Sequence, residues 1–428
     1  MIKIKWIFLI CIFLIASCNK RKEEVLSNIK SADNRDSIVH LKKEWYHTND
    51  TIFLSHITEN IKYLSLEIPV TTNIFQLEYT DSIIIASIKN GIYWFNQNGK
   101  RLNGIPLQFA CFCLSERKDS IYTYEPLNKT ISCYDFNGNQ IWSSRLHHKE
   151  KEVGYYGHFF SQVNDTAFAI AFHNQGFNSD QLIFVNKQGK VIKNITNSET
   201  FTYSGHTYTS QMSWQRILTR NQKQLFYHSL YGDTIFNINE QMQLTPIIVE
   251  NIIKKVPLIS RPEYTGKTWK EFGLECLEKQ INVTRIFNSS RYIILEAKLA
   301  DITSRMSNYW IYDKKDKSLK RTFNDLEDVY IKKCAHFGIY NNYDGGLAFA
   351  PDFISNEHLI MANASELQGK KSIYAKQLYK NNYNLQNQKI IYSSNTYSDL
   401  ILKEKADAFW NNCNEKELTL TIIKLKSK

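Results

Sequence analysis

The chain has 428 residues, with 25 Tyr and 24 Phe against only 7 Pro, and a formal charge of +11. So much aromatic surface excludes a disordered chain, and the length allows a large buried core. The basic charge does not point to nucleic acid: Lys and Arg are scattered, with no strip of alternating basic and aromatic residues, so they read as a solvated surface.

In chain order, Lys3 and Lys5 open a short basic segment, and Trp6 to Ile15 is apolar. That stretch is too short for a bilayer, which takes roughly 20 residues. Then comes Ile15-Ala16-Ser17-Cys18. It resembles the lipobox of bacterial lipoproteins, where small residues let a peptidase close around the backbone and the cysteine sulfur receives diacylglycerol. Residues 1–17 are therefore expected to be a lipoprotein signal peptide, with Cys18 the lipidated first residue of the mature chain. A multiply acylated cysteine anchors stably, at about 0.8 kcal/mol per buried methylene. No later run reaches the length of a membrane span, so the lipid is the expected membrane contact. Residues 18–49, charged and rich in Ser and Asn, read as a flexible tether. Within it Lys22-Glu23-Glu24 resembles a surface-export signal of some Bacteroidota lipoproteins. The expected location is the cell envelope, as an outer-membrane lipoprotein, periplasmic or surface-exposed.

From about residue 50 a two-part repeat is visible. A polar turn leads into a short apolar strand in "TDSIIIASI" (80–88), "KDSIYTYEP" (118–126), "NDTAFAIAF" (164–172), "NSSRYIILEA" (288–297) and "SNEHLIMANA" (355–364). An apolar strand ends in a polar-Gly turn in "IYWFNQNGK" (92–100), "ISCYDFNGN" (131–139) and "LIFVNKQGK" (182–190), and "DTIFNINEQ" (233–241) and "YWIYDKKDK" (309–317) are versions without glycine. This is hairpin chemistry, and its spacing fits one four-stranded blade per repeat. Blade starts near residues 74, 109, 157, 210, 283 and 331 make six. The fold class is therefore all-β: a six-bladed β-propeller over residues 50–428, with a β-sandwich as the competing arrangement. The alternating strand at 417–426 would close the last blade together with strands at 51–57 and 61–68, and "TWKEFGLECLEKQ" (268–280) and "SDLILKEKADAFW" (398–410) read as helical insertions.

The opening "YLSLEIPVTTNIFQLEYTDSIIIAS", the first-blade "IYWFNQNGKRLNGIPLQFA", and the later "LYGDTIFNINEQ" (230–241) and "YNNYDGGLAFAPDFISNEHLIM" (340–361) resemble the six-bladed β-propeller lipoproteins of Bacteroidota. Gly104-Ile105-Pro106 keeps part of that family's Gly-Pro turn, and the closing "LTLTIIKLK" lacks the usual preceding Asn-Pro. The resemblance implies the fold and carries no activity with it.

No catalytic pattern is present: no G-x-S-x-G, H-E-x-x-H, P-loop or G-x-G-x-x-G, so neither a cofactor nor a metal is expected. Cys111 and Cys113 flank Phe112 on one strand, share a face and read as buried free thiols; with Cys133, Cys276, Cys334 and Cys413 they form an even set that would permit disulfides. Asp344, in Tyr343-Asp344-Gly345-Gly346, is either a ligand contact or the cap of a turn. His147-His148 reads as a surface pair, and Asp81, Asp119 and Asp165 as hairpin residues. Ligands of propellers bind at the channel mouth. On this mapping the inner strands carry His158, Trp214, Arg216, Arg285, Cys334 and His336. Arg216, Arg285 and His336 would suit an anionic group, unless neighbouring carboxylates hold the arginines. Three functions follow: a binding module for a partner protein or a glycan, a lyase or glycoside hydrolase on the same scaffold, or a structural subunit of an envelope assembly.

Overall fold

The computed structural model describes residues 39–41, 52–69, 71–148, 158–172, 180–196, 218–221, 224–228, 234–250, 283–298, 307–321, 339, 341, 343–344, 349–363, 400–414 and 416–427. A short strand β1 (Val39–Leu41) and the single helical turn α1 (Leu54–Ile57) precede the long strand β2 (Thr58–Pro69). The first blade follows as β3 (Ile74–Tyr79), β4 (Ile83–Ile88), β5 (Gly91–Asn96) and β6 (Arg101–Ile105), the second as β7 (Cys111–Leu114), β8 (Ile121–Glu125), β9 (Thr130–Tyr134) and β10 (Gln140–Arg145). The third is β11 (His158–Asn164), β12 (Ala167–Phe172), β13 (Asp180–Asn186) and β14 (Val191–Thr196); the fourth is β15 (Leu218–Asn221), β16 (Gln224–His228), β17 (Thr234–Ile238) and β18 (Leu244–Glu250). The fifth is β19 (Val283–Asn288), β20 (Tyr292–Lys298), β21 (Ser307–Asp313) and β22 (Ser318–Arg321). Then come β23 (Phe353–Ser355), β24 (His358–Asn363), the helix α2 (Leu400–Asn412) and β25 (Glu417–Leu425).

These strands form six sheets, antiparallel but for the pairing of β1, and the last has the order β2-β25-β24-β23. Inner strands β23, β3, β7, β11 and β15 abut one another in turn, so the sheets stand as blades around an axis. The molecule is a six-bladed β-propeller. Inner strands begin at Ile74, Cys111, His158, Leu218 and Val283, at or near the expected blade starts. The sixth differs: residues 331–338 lie outside the described residues, and its first described strand is β23 at Phe353. The expected helix at 268–280 also lies outside them, whereas α2 occupies the one expected at 398–410.

Two expectations near the N-terminal edge are revised. The strand expected at 51–57 is instead α1, because Leu54 and Ile57, both fully buried, fall one helical turn apart and pack together into the core. Within the expected tether, β1 pairs in parallel with β18 and gives the fourth blade a fifth strand. Closure is as expected: β2 pairs along β25 from Thr58↔Leu425 to Pro69↔Glu417, which joins the two ends of the propeller by backbone hydrogen bonds and leaves no unpaired edge between them.

The middle strands explain why the repeat reads as continuous apolar runs. A blade is buried on both faces by its neighbours, and β12 is buried at every position. Phe168, Ile170 and Phe172 face the second blade, while Ala167, Ala169 and Ala171 face the fourth. Large residues on one face meet small ones on the other, and each fully buried Phe contributes about 1.5–3 kcal/mol. The repeated turns share one geometry. Asn96, Asp135 and Asn186 each accept two backbone N–H bonds through Oδ1, and Gly99, Gly138 and Gly189 follow with φ of +82°, +83° and +74°. In the fourth blade Met242 (φ +60°) holds the same left-handed position without glycine, and in the fifth the left-handed residue comes one place later, at Lys317 (φ +51°).

Candidate functional site

Each blade seam is bridged by a polar side chain near the axis. Gln76 on β3 pairs with Phe112 like a strand, its Oε1 accepting from the backbone N–H at 3.1 Å and its Nε2 donating to the carbonyl at 2.5 Å. The Gln162 N–H donates to Cys113 Sγ at 3.2 Å. Arg220 on β15 donates to Ser161 Oγ at 3.0 Å and to the Gln162 carbonyl. Asn221 Nδ2 donates to the Asn288 carbonyl at 2.8 Å. Arg285 reaches the Pro351 carbonyl and Asp352, and Ser355 Oγ accepts from the Tyr79 N–H at 2.9 Å.

Inside this ring lies a cavity of about 100 Å³ to which every blade contributes, with Glu78, Cys113, Ser161, Arg220, Phe287 and Ile354 drawn from blades one to six in order. A single water needs roughly 10–15 Å³ on the same scale, so the space suits a few waters and falls short of the roughly 150 Å³ that takes one benzene. Its wall includes Phe75, Phe109 and Phe159. Phe75 is 37% exposed, uncommon for an aromatic in a molecule with this much buried area, and its ring centroid lies 6.1 Å from that of Phe109. Phe109 sits in the link between the first two blades with φ +52°. For a bulky residue that conformation costs on the order of 1–3 kcal/mol. The Phe109 N–H donates to the Lys89 carbonyl at 3.2 Å, which ties the strained residue to the β4–β5 turn.

Deeper in, the polar groups are held in place. Ser355 Oγ lies 2.8 Å from Glu78 Oε2. Burial pushes the Cys113 thiol up to about 12, with Arg220 pulling the other way, so Cys113 is a neutral wall residue and not a nucleophile. Glu78 is the single carboxylate among the described residues lining the cavity. Among the described residues no three His, Cys, Asp or Glu side chains gather to hold a metal ion, and no helix is long and apolar enough to cross a membrane.

The residues singled out from the sequence fare unevenly. Cys18, Trp214, Arg216, Cys334 and His336 lie outside the described residues. His158 opens β11, its backbone paired with Phe172. Arg285 is on the expected inner strand but is held by carboxylates: its Nε lies 2.8 Å from Glu296 Oε2 and its Nη1 3.0 Å from Asp352 Oδ1. Burial pulls its pKa down, yet Glu296 and Asp352 outweigh that and hold it above the usual value. Asp344 is buried and accepts from Tyr63 Oη at 2.8 Å and from Asn341 Nδ2 at 2.7 Å, so it fastens β2, while Asn341 caps the turn by accepting from the Tyr343 and Asp344 N–H groups. His148 is not a surface residue: its Nε2 lies 2.8 Å from Asp180 Oδ2, and its ring stacks on Phe172 at 5.8 Å. Asp119 makes the hairpin contacts expected of it, accepting from Ser115 and Ser120, which lower its pKa. Cys113 and Cys133 are buried free thiols, whereas Cys111, expected to be buried beside Cys113, is only part-buried. Sequence reasoning missed Phe75, Phe109, Glu78 and Arg220. Phe109 carried a signal, since it sits in a blade link beside the partial Gly-Pro turn.

The chain belongs to the DUF4934 family, a domain of unknown function, whose profile matches residues 36–396. Among curated proteins nothing matches. Among solved structures the chain is similar to a candidate exported protein of Bacteroides fragilis, at 11% identity and a TM-score of 0.58, covering 91% of this chain and 100% of that one. It is also similar to a member of the DUF4221 family from Bacteroides vulgatus, at 11% identity and a TM-score of 0.46, covering 89% and 99%. A protein of unknown function from Bacteroides caccae matches at 9% identity and a TM-score of 0.37, covering 59% and 81%. The first of these supports the propeller fold; the identities carry nothing further.

Proposed function

We propose that this DUF4934 chain is an exported, lipid-anchored binding module whose propeller takes a partner protein or a glycan at the mouth of its axial cavity. The observation that carries this reading is the convergence of all six blades on one cavity whose rim exposes Phe75 beside the strained Phe109, above hydrogen-bonding side chains. A concave site with apolar walls and a few fixed polar groups is where a ligand is expected. Export follows from the basic and apolar opening and the Ile15-Ala16-Ser17-Cys18 box, and it is in keeping with the Bacteroides fragilis neighbour's description. Anchoring follows from Cys18. Glycoside cleavage on this scaffold is less well supported, because it takes two carboxyls roughly 5–9 Å apart and Glu78 stands alone among the described lining residues.

The test is a photo-crosslinking amino acid placed at Phe75 of the full-length protein in its native envelope, with Ile141, exposed on the outer strand β10, as the control position. An adduct at Phe75 and none at Ile141 is expected. Equal adducts at both, or none at Phe75, would remove the mouth as the binding site. Palmitate-analogue labelling of wild type and Cys18→Ala tests the anchor; label on the mutant would refute it.

A further inference from the structure

We infer that the outer edge of the fifth and sixth blades, where the chain from Cys18 joins the propeller, docks on an anionic lipid surface. This surface is separate from the mouth, and it rests on the anchored reading only for the choice of a membrane as partner. Four basic side chains from three distant parts of the sequence meet there. His56 stands on α1, Lys315 in the β21–β22 turn, Lys320 on β22 and Lys426 just past β25. Hydrogen bonds bring these segments together. The Ile52 N–H donates to the Arg321 carbonyl at 3.0 Å, and the Lys426 N–H to the Ile57 carbonyl at 2.9 Å. Lys426 Nζ donates to the Ser55 carbonyl at 2.9 Å. Arg291 Nη1 reaches the Ser427 carbonyl at 3.4 Å while its Nη2 holds Asp313, which sets this segment beside the turn that carries Lys315.

Among the described residues the neighbouring carboxylates are engaged with other cations. Asp313 takes Arg291 in a forked bond, Asp316 lies 3.9 Å from the same guanidinium, and Glu59 lies 2.8 Å from Lys424. His56 shows the result: partial burial lowers its pKa, and Lys320 and Lys426 lower it further, with no carboxylate opposing them. The Phe53 N–H donates to His56 Nδ1 at 3.4 Å, so the neutral ring keeps its proton on Nε2 and can donate to a phosphate oxygen. Lysine suits a plane of headgroups, because a compact charge on a flexible stem meets phosphates without a fixed geometry. A protein partner would need an apolar centre to its contact. The large exposed apolar side chains among the described residues are Phe75, Leu102, Leu127, Ile141 and Ile192, and all belong to blades one to three. The location agrees with the chemistry. β1 pairs with β18 at the outer edge of the fourth blade, and Ile52 then meets β22 beside Lys320, so the chain from Cys18 arrives at this edge. Residues 19–38 separate Cys18 from Val39, a length that as a coil spans on the order of 25 Å. An acyl anchor on Cys18 would keep the patch close to the bilayer, where each lysine adds to the attraction.

The experiment is flotation of the full chain carrying Cys18→Ala, so that no acyl chain holds it, with vesicles of phosphatidylcholine alone or mixed with phosphatidylglycerol. The apolar opening is common to every variant, so differences between variants read the patch. Binding should favour the mixed vesicles, and the preference should disappear in high salt. Lys320→Gln/Lys426→Gln should weaken that binding roughly tenfold or more. Lys315→Gln/Lys320→Gln, which leaves the Lys426 bond to Ser55 in place, should act in the same direction. A matched pair on the second and third blades, Lys118→Gln/Lys190→Gln, should leave it unchanged. Melting curves like wild type show that each variant folds. Equal binding to both kinds of vesicle would overturn the docking surface. An equal loss in the matched pair would reduce it to general basic charge and overturn the patch. Binding of polygalacturonate and not of vesicles would overturn the membrane and leave a site for an acidic glycan. The crosslink at Phe75 uses none of these lysines, so the mouth stands or falls separately.

Discussion

Arg220 and Arg285 occupy the same place in their blades, the third residue of an inner strand, and face opposite fates. Arg285 stands opposite Glu296 on the adjacent strand of its own blade and reaches Asp352 of the next, so its charge is held between two carboxylates. Arg220 has Leu225 opposite, and its named acceptors are a hydroxyl and a carbonyl of the third blade; its remaining surface lines the cavity. Both arginines join blades, and Arg220 also lines the cavity. The strand position is the same, and what decides is the residue across the ladder and the carboxylate on the next blade.

The contrast breaks most readily at Arg285. Glu296 is 2% exposed at its side chain, and Arg285→Ala would strand its charge in the interior. Removing one partner of such a pair costs about 3–5 kcal/mol. Chemical denaturation should show that loss, and Arg285→Ala/Glu296→Gln should recover part of it. A loss below about 1 kcal/mol would mean that the pair is solvated and the two seams are alike.

Arg220→Ala should cost about 1–3 kcal/mol, because it takes a donor from the Ser161 hydroxyl and the Gln162 carbonyl. If the mouth is the binding site, the same substitution should also weaken the crosslink at Phe75. If Arg220→Ala destabilises as much as Arg285→Ala and leaves the crosslink intact, the functional half of the comparison fails.

A third seam, between the last and first blades, sharpens the point through pH. Here Ser355 and Asn356 bond the Tyr79 backbone and the His358 ring packs 4.9 Å from that of Tyr79. Burial lowers the His358 pKa below 6.5; the Asn356 carbonyl and Asp81 work to raise it, and Lys424 adds to the lowering. The unfolded chain therefore takes up this proton first as pH falls from about 6.5, and stability declines until the folded histidine is protonated too. Melting temperature should drop between pH 7 and 5, and His358→Gln should flatten that slope. A slope unchanged by the substitution would place the acid sensitivity elsewhere.

How much of this was legible follows from the same physics. The blades were readable because each turn fixes its register with an Asx side chain, which survives at Asn239 and Asp313 where glycine does not. The closing strand was readable from its alternation. The segment at 54–57 was not, since Leu54 and Ile57 are too few to distinguish a helical period from an extended one. Arg285 was assigned to the mouth because it lies on an inner strand; the sequence holds its partner Glu296 across the hairpin, but the bond depends on register, which a slip of one residue would reverse. Phe75 and Phe109 were not singled out, because exposure belongs to the assembled ring of blades and not to any one repeat.

The smallest effect is also the most discriminating. Phe109 and Lys317 share the left-handed backbone, at φ +52° and +51°, but Lys317 is an exposed turn residue far from the axis in sequence and function. Lys317→Gly therefore measures the strain alone and should raise stability by about 0.5–1 kcal/mol. Phe109→Gly releases strain on the order of 1–3 kcal/mol but loses a half-buried ring, about 1–1.5 kcal/mol of burial, and its contact with Phe75, about 0.5–1.5 kcal/mol. The two should nearly cancel, leaving stability within about 1 kcal/mol of wild type. A loss of about 3–5 kcal/mol would be that of a core phenylalanine. The strain at Phe109 would then serve packing between the first two blades, and the rim would have no claim to be shaped for a ligand. Near-neutral stability together with weakened binding would mean that the fold tolerates the loss of this ring and the site does not.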